Sequence, residues 1–246
     1  IPIEAEIEEI EELDEGINKM ARKISALLEN VRQEKEMQHL TELQLIQAQV
    51  NPHFLYNTLD TIVWLIEGGM TDDAVEMISS LSIFFRTSLS KGNDIIPLSE
   101  EERHTLSYLE IQQYRYRDIL EFEINIPKEL SGIPVPKLSI QPLAENALYH
   151  GIKNRRGKGK ILIEGREEED ALVLTVSDNG QGMTPERLHE VQEAIRIGER
   201  AGFGLAAVAE RIALYYGPGY GMKIFSEEGK GTTVEIRLGK NIQPKS

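Results

Sequence analysis

The sequence predicts an α+β fold in which a long N-terminal coiled coil and a helical hairpin precede an α/β sandwich. Apolar residues recur every seven positions near the N-terminus, which is the spacing of a coiled-coil seam. Beyond about residue 120, short segments of alternating apolar and polar residues are interleaved with helical segments. Because a two-helix hairpin cannot bury both of its faces, we expect a dimer with a four-helix bundle.

The composition limits the classes of protein that this chain can be. With 246 residues it can form one large domain or two ordinary ones. Its net charge of −14 predicts that it repels nucleic acid and anionic membranes. The sequence has no cysteine, which excludes disulfides, thiolate zinc sites and thiol nucleophiles. No apolar run approaches the roughly 20 residues of a membrane-spanning helix.

The first segment, residues 1–36, is predicted to be a signalling helix in a parallel two-stranded coiled coil. β-branched residues occupy one seam position and Leu or Met the other, which favours two strands. The first series is Ile3, Ile10, Ile17, Ile24 and Val31, and the second is Leu13, Met20 and Leu27. The chain begins with Ile1 rather than methionine, so we expect it to be a fragment of a longer protein.

Residues 37–92 are predicted to form the helical hairpin. Gly68-Gly69 indicates the end of one helix, and Thr71-Asp72-Asp73 indicates the start of the next. The second helix has an apolar face that consists of Leu81, Phe84, Phe85 and Leu89. Residues 91–98 are interpreted as a linker.

Residues 93–246 are predicted to form the sandwich. Ser99-Glu100-Glu101-Glu102 has the pattern of a capping box and predicts a helix that runs to about Asp118. Further helices are predicted at Pro142–Gly151 and Leu205–Tyr216. The predicted strands are Leu120–Ile126, Lys160–Glu164, Leu172–Val176, Lys223–Phe225 and Thr233–Leu238.

The helix at Pro142–Gly151 has a polar face that suits a metal and phosphates. Asn146 and His150 lie four residues apart and share this face. An amide oxygen is a good ligand for Mg²⁺. A basic cluster follows, which either reaches phosphates or forms a solvated hairpin tip, and it consists of Lys153, Arg155, Arg156, Lys158 and Lys160.

Two glycine loops complete the candidate nucleotide site. Asp178 ends a predicted strand, where a buried carboxylate could accept the adenine amine, and Gly180 and Gly182 would let the backbone approach the base and sugar. Gly202 and Gly204 lie at the start of a helix, where free N–H groups favour phosphate. Either loop alone is more typical of an ordinary tight turn.

Together these segments resemble the N, G1 and G2 boxes of the Bergerat ATP-binding fold, shared by gyrase, Hsp90, MutL and histidine kinases. The resemblance implies Asn146 on magnesium, Asp178 on adenine, and Gly202, Gly204 and Leu205 at the phosphates. It also implies Thr232 near the adenine and a mobile lid over residues 183–201.

The resemblance also bears on the chemistry at the phosphate end. The ATPase branches of the fold carry a glutamate base four residues before the magnesium asparagine, where this chain has Pro142. That difference argues against water activation, and Glu145 remains a candidate acid or base.

His53 is the candidate phosphoryl acceptor. Pro52 should bend the helix at this point, which leaves His53 beside the apolar seam and open to solvent. A neutral imidazole is a competent nucleophile, and Asn57, one turn on, can fix its tautomer. A histidine that merely packs beside a kink is the alternative for the residue taken alone.

The motif Gln49-Val50-Asn51-Pro52-His53-Phe54-Leu55-Tyr56-Asn57 resembles the phosphoacceptor motif of LytS/YesM-like sensor histidine kinases. The resemblance implies Mg²⁺-ATP-dependent autophosphorylation of His53 and transfer to the receiver domain of a response regulator. It further implies a homodimer and the cytoplasmic portion of a membrane receptor whose anchor lies in a missing N-terminal part. Glu12–Leu28 looks like the second helix of a HAMP module.

Two other functions compete with this interpretation. The first is a Bergerat-fold ATPase or serine kinase that never phosphorylates histidine. The second is a non-catalytic dimeric scaffold with a degenerate nucleotide domain.

Most histidine kinases carry an acid directly after the acceptor, where this chain has Phe54. Asp60 is a distant candidate for the missing base.

Overall fold

The computed structural model describes residues 52–88, 94–153, 155, 157–197, 204–217 and 219–240. The predicted coiled coil at 1–36, its HAMP-like stretch and Gly202 lie outside the described residues. By its internal contacts the chain divides into two units, Ile1–Leu55 and Tyr56–Ser246. Among the described residues, none forms a helix that is both long and apolar enough to cross a membrane.

Seven strands and six α-helices cover most of the described residues. In chain order the elements are α1 (Pro52–Glu67), α2 (Thr71–Ser88), β1 (Ile95–Pro97), α3 (Leu98–Arg115), β2 (Leu120–Asn125), a 3₁₀ turn (Lys128–Leu130), β3 (Pro134–Pro136), α4 (Gln141–Asn146), a π-helical segment (Ala147–Ile152), β4 (Gly159–Glu168), β5 (Ala171–Asp178), α5 (Pro185–Ile197), α6 (Gly204–Tyr216), β6 (Gly221–Glu227) and β7 (Gly231–Gly239).

The five strands that the sequence predicts form one sheet, in the order β2-β4-β5-β7-β6. β2 runs parallel to β4, and the other neighbours are antiparallel. Residues 171–176 of β5 are all buried, so this central strand carries much of the core. The α+β prediction is confirmed.

The turn between α1 and α2 lies where the glycines predict it. α1 ends at Glu67, and Gly69 has φ +75°, a left-handed conformation that glycine adopts without strain. α2 begins at Thr71, with two aspartates in its first turn where they complement the helix dipole. Large apolar side chains of α1 are exposed, among them Tyr56, Val63 and Trp64.

α2 packs against α3, a contact that the sequence does not reveal. The Ser80 hydroxyl donates to Glu110 over 2.7 Å, and Phe84 stacks on His104 with ring centroids 4.7 Å apart. Thr87 Oγ1 lies 2.7 Å from Nδ1 of the same histidine. The second hairpin helix therefore rests on the first helix of the C-terminal region.

Two local predictions are wrong. The expected linker at residues 91–98 includes β1, which pairs antiparallel with β3 in a separate small sheet. α3 begins at Leu98 with Pro97 before it, and no side chain caps it, so the capping box does not form. The N–H groups of Leu98 and Ser99 instead donate to the carbonyls of Ile133 and Ser131, which satisfies the helix start.

Candidate nucleotide site

A pocket of about 310 Å³ lies between the polar helix face, the glycine loop after Asp178 and the first turn of α6. Its walls come from α4, the π-helical segment, the end of β5 and the segment after it, α5, α6, the β6–β7 turn and the start of β7. The lining residues are Asn146, His150, Gly151, Asp178, Gln181, Gly182, Met183, Thr184, Arg187, Val191, Leu205, Glu228 and Thr232. Six of the predicted cofactor-binding residues thus meet in one cavity.

The polar helix changes its winding just after Asn146. α4 begins at Gln141, so Pro142 takes the second helical position and not the predicted first one. The following residues wind as a π-helix, in which the N–H of Lys153 donates to the carbonyl of Leu148. π-helical segments are rare in proteins, and those that occur are often found at functional sites. Asn146 and His150 both line the pocket despite this change.

Asp178 presents a largely buried carboxylate at the end of β5. Burial raises the pKa of this carboxyl to about 6, although hydrogen bonds from the N–H groups of Gly180 and Thr232 oppose the rise. Oδ1 accepts the Gly180 bond over 2.8 Å. An ionised carboxylate of this kind attracts hydrogen-bond donors such as an exocyclic amine.

The glycines after Asp178 permit close backbone packing. Gly182 has φ +65°, and a Cβ there would lie 2.6 Å from the carbonyl carbon of Glu227. A Cβ on Gly180 would lie 2.5 Å from Cα of Gly151, so Gly180 packs beneath the site and does not line it. The N–H of Gln181 donates to the carbonyl of Gly151 over 3.1 Å and joins the loop to the helix.

Thr232 is buried on β7 directly opposite Asp178, with which it pairs in the sheet. Its hydroxyl lies 2.8 Å from the Ser226 hydroxyl on β6. Ser226 also donates to the carbonyl of Gly231 and accepts a bond from the N–H of Met183 over 2.9 Å. Ser226 therefore holds the loop in place, and no sequence pattern predicts this role.

The structure describes only part of the segment that is predicted to bind the phosphates. α6 begins at Gly204, and Leu205 is buried and lines the pocket, whereas Gly202 lies outside the described residues. The resemblance to a lid predicts a mobile segment at residues 183–201, and thirteen of these residues form α5. Arg187 on α5 lines the pocket, which the sequence analysis did not anticipate.

Besides Gly180 and Gly204, Lys153 and Glu145 also lie outside the pocket lining. Nζ of Lys153 lies over the ring of Tyr149, 5.3 Å from its centroid. Glu145 is half-buried and accepts a hydrogen bond from Gln141 over 3.2 Å. Burial raises the pKa of this carboxyl, and the Gln141 bond opposes the rise. A role for either residue toward the nucleotide stays a prediction.

The basic cluster behaves largely as a solvated hairpin tip. Lys158 pairs with Glu121 over 2.8 Å, and Lys160 pairs with Glu123, so two charges of the cluster are matched by acids on β2. The guanidinium of Arg155 donates to the backbone carbonyl of Asn179. Exposed pairs of this kind contribute little to stability.

His53 lies in the first turn of α1, with its side chain exposed. Asn57 is half-buried one turn further on, and helical geometry places the two on one side of the helix. Pro52 is the first described residue of this helix, so the bend that it predicts stays a prediction. His53 belongs to the N-terminal unit, and the pocket lies in the C-terminal one.

The described part of the chain holds no cluster of three or more His, Cys, Asp or Glu side chains that could bind a metal. The pocket instead offers the amide oxygen of Asn146. Mg²⁺ commonly takes one or two protein oxygens and completes its shell with phosphates and water. The residues therefore fit a metal that arrives with a nucleotide.

Two family descriptions match the chain. "Histidine kinase" matches residues 41–120, and "Histidine kinase-, DNA gyrase B-, and HSP90-like ATPase" matches residues 137–242. The second description implies that the C-terminal region binds ATP.

Curated relatives match most of the chain. Sensor histidine kinase YesM of Bacillus subtilis is 36% identical over 89% of this chain and 37% of its own length. Sensor histidine kinase BtsS of Escherichia coli is 32% identical over 92% and 38%. Sensor protein LytS of Staphylococcus saprophyticus is 34% identical over 80% and 33%. The matched region thus spans between 33% and 38% of the length of these relatives.

Proposed function

Because the chain belongs to the sensor histidine kinase family, we propose that it phosphorylates His53 from ATP and passes the phosphoryl group to an aspartate of a response regulator. The observation that carries this proposal is the single pocket that gathers Asn146, Asp178 and Thr232 beside the start of α6. These residues lie far apart in the sequence, and their convergence gives a polar cavity suited to a nucleotide.

Each wall of the pocket has a separate task in nucleotide binding. Asp178, as a carboxylate, accepts the exocyclic amine of adenine, and Thr232 lies beside it on the neighbouring strand. α6 begins at Gly204, and the first N–H groups of a helix, which have no partner within it, favour phosphate oxygens. Asn146 would hold Mg²⁺. When bound, the metal would supply positive charge that offsets the negative charge on the transferring phosphoryl group.

The acceptor step takes place on the imidazole of His53. A ring nitrogen attacks the γ-phosphorus of ATP, the P–N bond forms, the bond to the bridging oxygen breaks and ADP leaves. The ring loses one proton to solvent, and Asn57 fixes the tautomer that exposes the attacking nitrogen. A carboxylate of the regulator then takes the phosphoryl group from the imidazole. Catalysis rests mainly on positioning and electrostatics, so an adjacent acid is dispensable.

The assembly follows from the same proposal. The exposed apolar side chains of α1 suit a homodimer in which two hairpins form a four-helix bundle. In the proposed layout, residues 1–36 transmit a signal, 37–92 carry dimerisation and the acceptor, and 93–246 bind ATP. The protein from which this chain comes would be a membrane receptor, with these residues on its cytoplasmic side.

The chemistry of the phosphorylated product tests the proposal against the rival serine kinase or ATPase. We expect the chain, incubated with γ-labelled ATP and Mg²⁺, to take up label that is lost in acid and kept in base, as phosphohistidine behaves. Label that survives acid and is lost in base would indicate phosphoserine. Release of free phosphate without any protein label would indicate an ATPase, and either result would overturn the proposal.

A further inference from the structure

Glu101, in the first turn of α3, is completely buried, although it carries a carboxyl group. Its Oε2 accepts a hydrogen bond from the N–H of Leu138 over 2.9 Å, and its Oε1 accepts one from the N–H of Ile140 over 2.8 Å. Burial raises the pKa of this carboxyl, and the backbone N–H groups of residues 138–141 oppose the rise. A polar group persists in the interior when hydrogen bonds replace the water it has lost.

The loop that Glu101 holds is strained. Leu138 has φ +59°, a left-handed conformation that residues other than glycine adopt rarely and only where the surroundings enforce it. Arg211 on α6 helps to hold this conformation, because its guanidinium donates hydrogen bonds to the carbonyls of Lys137 and Leu138. The N–H groups of the loop thus face a carboxylate, and its carbonyl groups face a cation.

This loop leads directly into the helix that carries Asn146. Ile140 is the residue before α4, and no side chain of its own caps the helix. The Glu101 carboxylate supplies the acceptor at that end, and α4 reaches Asn146 within six residues. Arg211 belongs to α6, whose first turn includes the pocket residue Leu205. Glu101 and Arg211 together therefore join two walls of the pocket through one loop.

We propose that Glu101 is a positioning residue that sets the metal and phosphate side of the nucleotide site through residues 137–140. This role rests on the proposed ATP-binding function. Glu101 lies outside the pocket lining and acts through the loop, and Asn146 is the group that meets the ligand. Asp178 lies on β5, which the loop does not hold, so the adenine side is independent of Glu101.

Binding of two ligands to the Glu101→Gln variant tests this role. The glutamine oxygen can accept only one of the two N–H groups, and its own NH₂ group faces the other. We expect Mg²⁺-ATP to bind about tenfold more weakly, which corresponds to the loss of one charge-assisted hydrogen bond. The affinity for adenosine, which lacks phosphates, should stay unchanged. Addition of Leu138→Gly should restore part of the loss, because glycine adopts the left-handed conformation without strain.

Glu100→Gln is the matched control, because it removes the same charge from an exposed position in the same helical turn. Unchanged Mg²⁺-ATP affinity in folded Glu101→Gln protein, or an equal loss of adenosine and Mg²⁺-ATP affinity, would refute the positioning role. If Glu101→Gln does not fold, Arg211→Lys must show the same selective loss, and wild-type affinity there would refute the role too. A wild-type chain that does not bind Mg²⁺-ATP would instead overturn the proposed function.

Discussion

The carboxylate of Asp178 packs directly against the backbone of Gly151, so closely that a Cβ on Gly151 would lie 2.7 Å from Asp178 Cγ. The glycine ends the seven-residue segment that begins with Glu145 and Asn146, and it contributes no functional group. Because Gly151 has no side chain, the π-helical segment can approach β5 closely. The adenine side and the metal side of the pocket are brought together by this contact.

Replacement of Gly151 by alanine should disrupt the pocket more than the fold. The added methyl group must displace the Asp178 carboxylate or the helix, and overpacking of this kind costs about 1–3 kcal/mol. We expect adenosine affinity to fall at least tenfold and the melting temperature to fall by a few degrees. Binding and thermal unfolding of the purified variant measure both effects.

Gly132→Ala is the matched control for that experiment. A Cβ on Gly132 meets no atom within 4 Å, so the same substitution there should leave both quantities unchanged. Wild-type adenosine affinity in Gly151→Ala would show that the close contact does not shape the site.

The effect of Asp178→Asn on the free energy of unfolding should depend on pH. The pKa of the wild-type carboxyl is about 6, raised by burial, so the folded state binds the proton more tightly than the unfolded state. Wild-type stability therefore falls as the pH rises from about 4 through 6, by on the order of 2 kcal/mol. The amide does not titrate. The stability of the variant relative to wild type should thus rise between pH 5 and pH 7.5, as chemical denaturation at both pH values would measure.

The same substitution should weaken adenine binding at pH 7.5, because the amide lacks the charge of the carboxylate. A stability difference that stays constant or shrinks as the pH rises would contradict the buried, proton-retaining state of Asp178.

His104 should make the contact between α2 and α3 sensitive to acid. Its Nδ1 faces Thr87, and its Nε2 is buried with no hydrogen-bond partner among the described residues. Burial, with the nearby charge of Lys137, lowers the pKa of this imidazole to about 4. The folded state therefore keeps His104 neutral, and its stability falls as the pH drops below 6.5, by on the order of 2 kcal/mol at pH 5.

His104→Phe should remove this acid sensitivity, because phenylalanine can keep the stack on Phe84 and does not titrate. Chemical denaturation at pH 7 and pH 5 measures the effect, with His189→Gln on the exposed face of α5 as control. Equal losses of stability in wild type and His104→Phe would rule out titration of this histidine as the cause.

The predictions from sequence succeeded where the signal was local. The strands of the main sheet carry local apolar patterns, alternating in β2 and β7 and nearly continuous in the buried β5, and the glycines at 68–69 give a turn that the structure contains. β1 and β3 escaped prediction because each has three residues and includes proline, and their pairing joins segments far apart in the chain. The capping box failed because backbone carbonyls from that same small sheet region replaced the side-chain cap.

The site shows the same division. Asn146, Asp178 and Gly182 belong to short motifs that the sequence reveals, and all three line the pocket. Ser226 was missed because its contact with Thr232 depends on the register between β6 and β7, which sequence patterns do not specify. The sequence pattern places Glu101 in a capping box, whereas its buried carboxylate accepts hydrogen bonds from a loop nearly forty residues away.

The uptake of labelled phosphate from γ-labelled ATP by His53→Gln, beside wild type and His189→Gln, tests phosphoryl transfer most directly. Each variant removes one exposed histidine, and both should bind Mg²⁺-ATP as wild type does. We expect wild type and His189→Gln to take up acid-labile label and His53→Gln to take up none. Label that persists in His53→Gln at the wild-type level would contradict transfer to this imidazole.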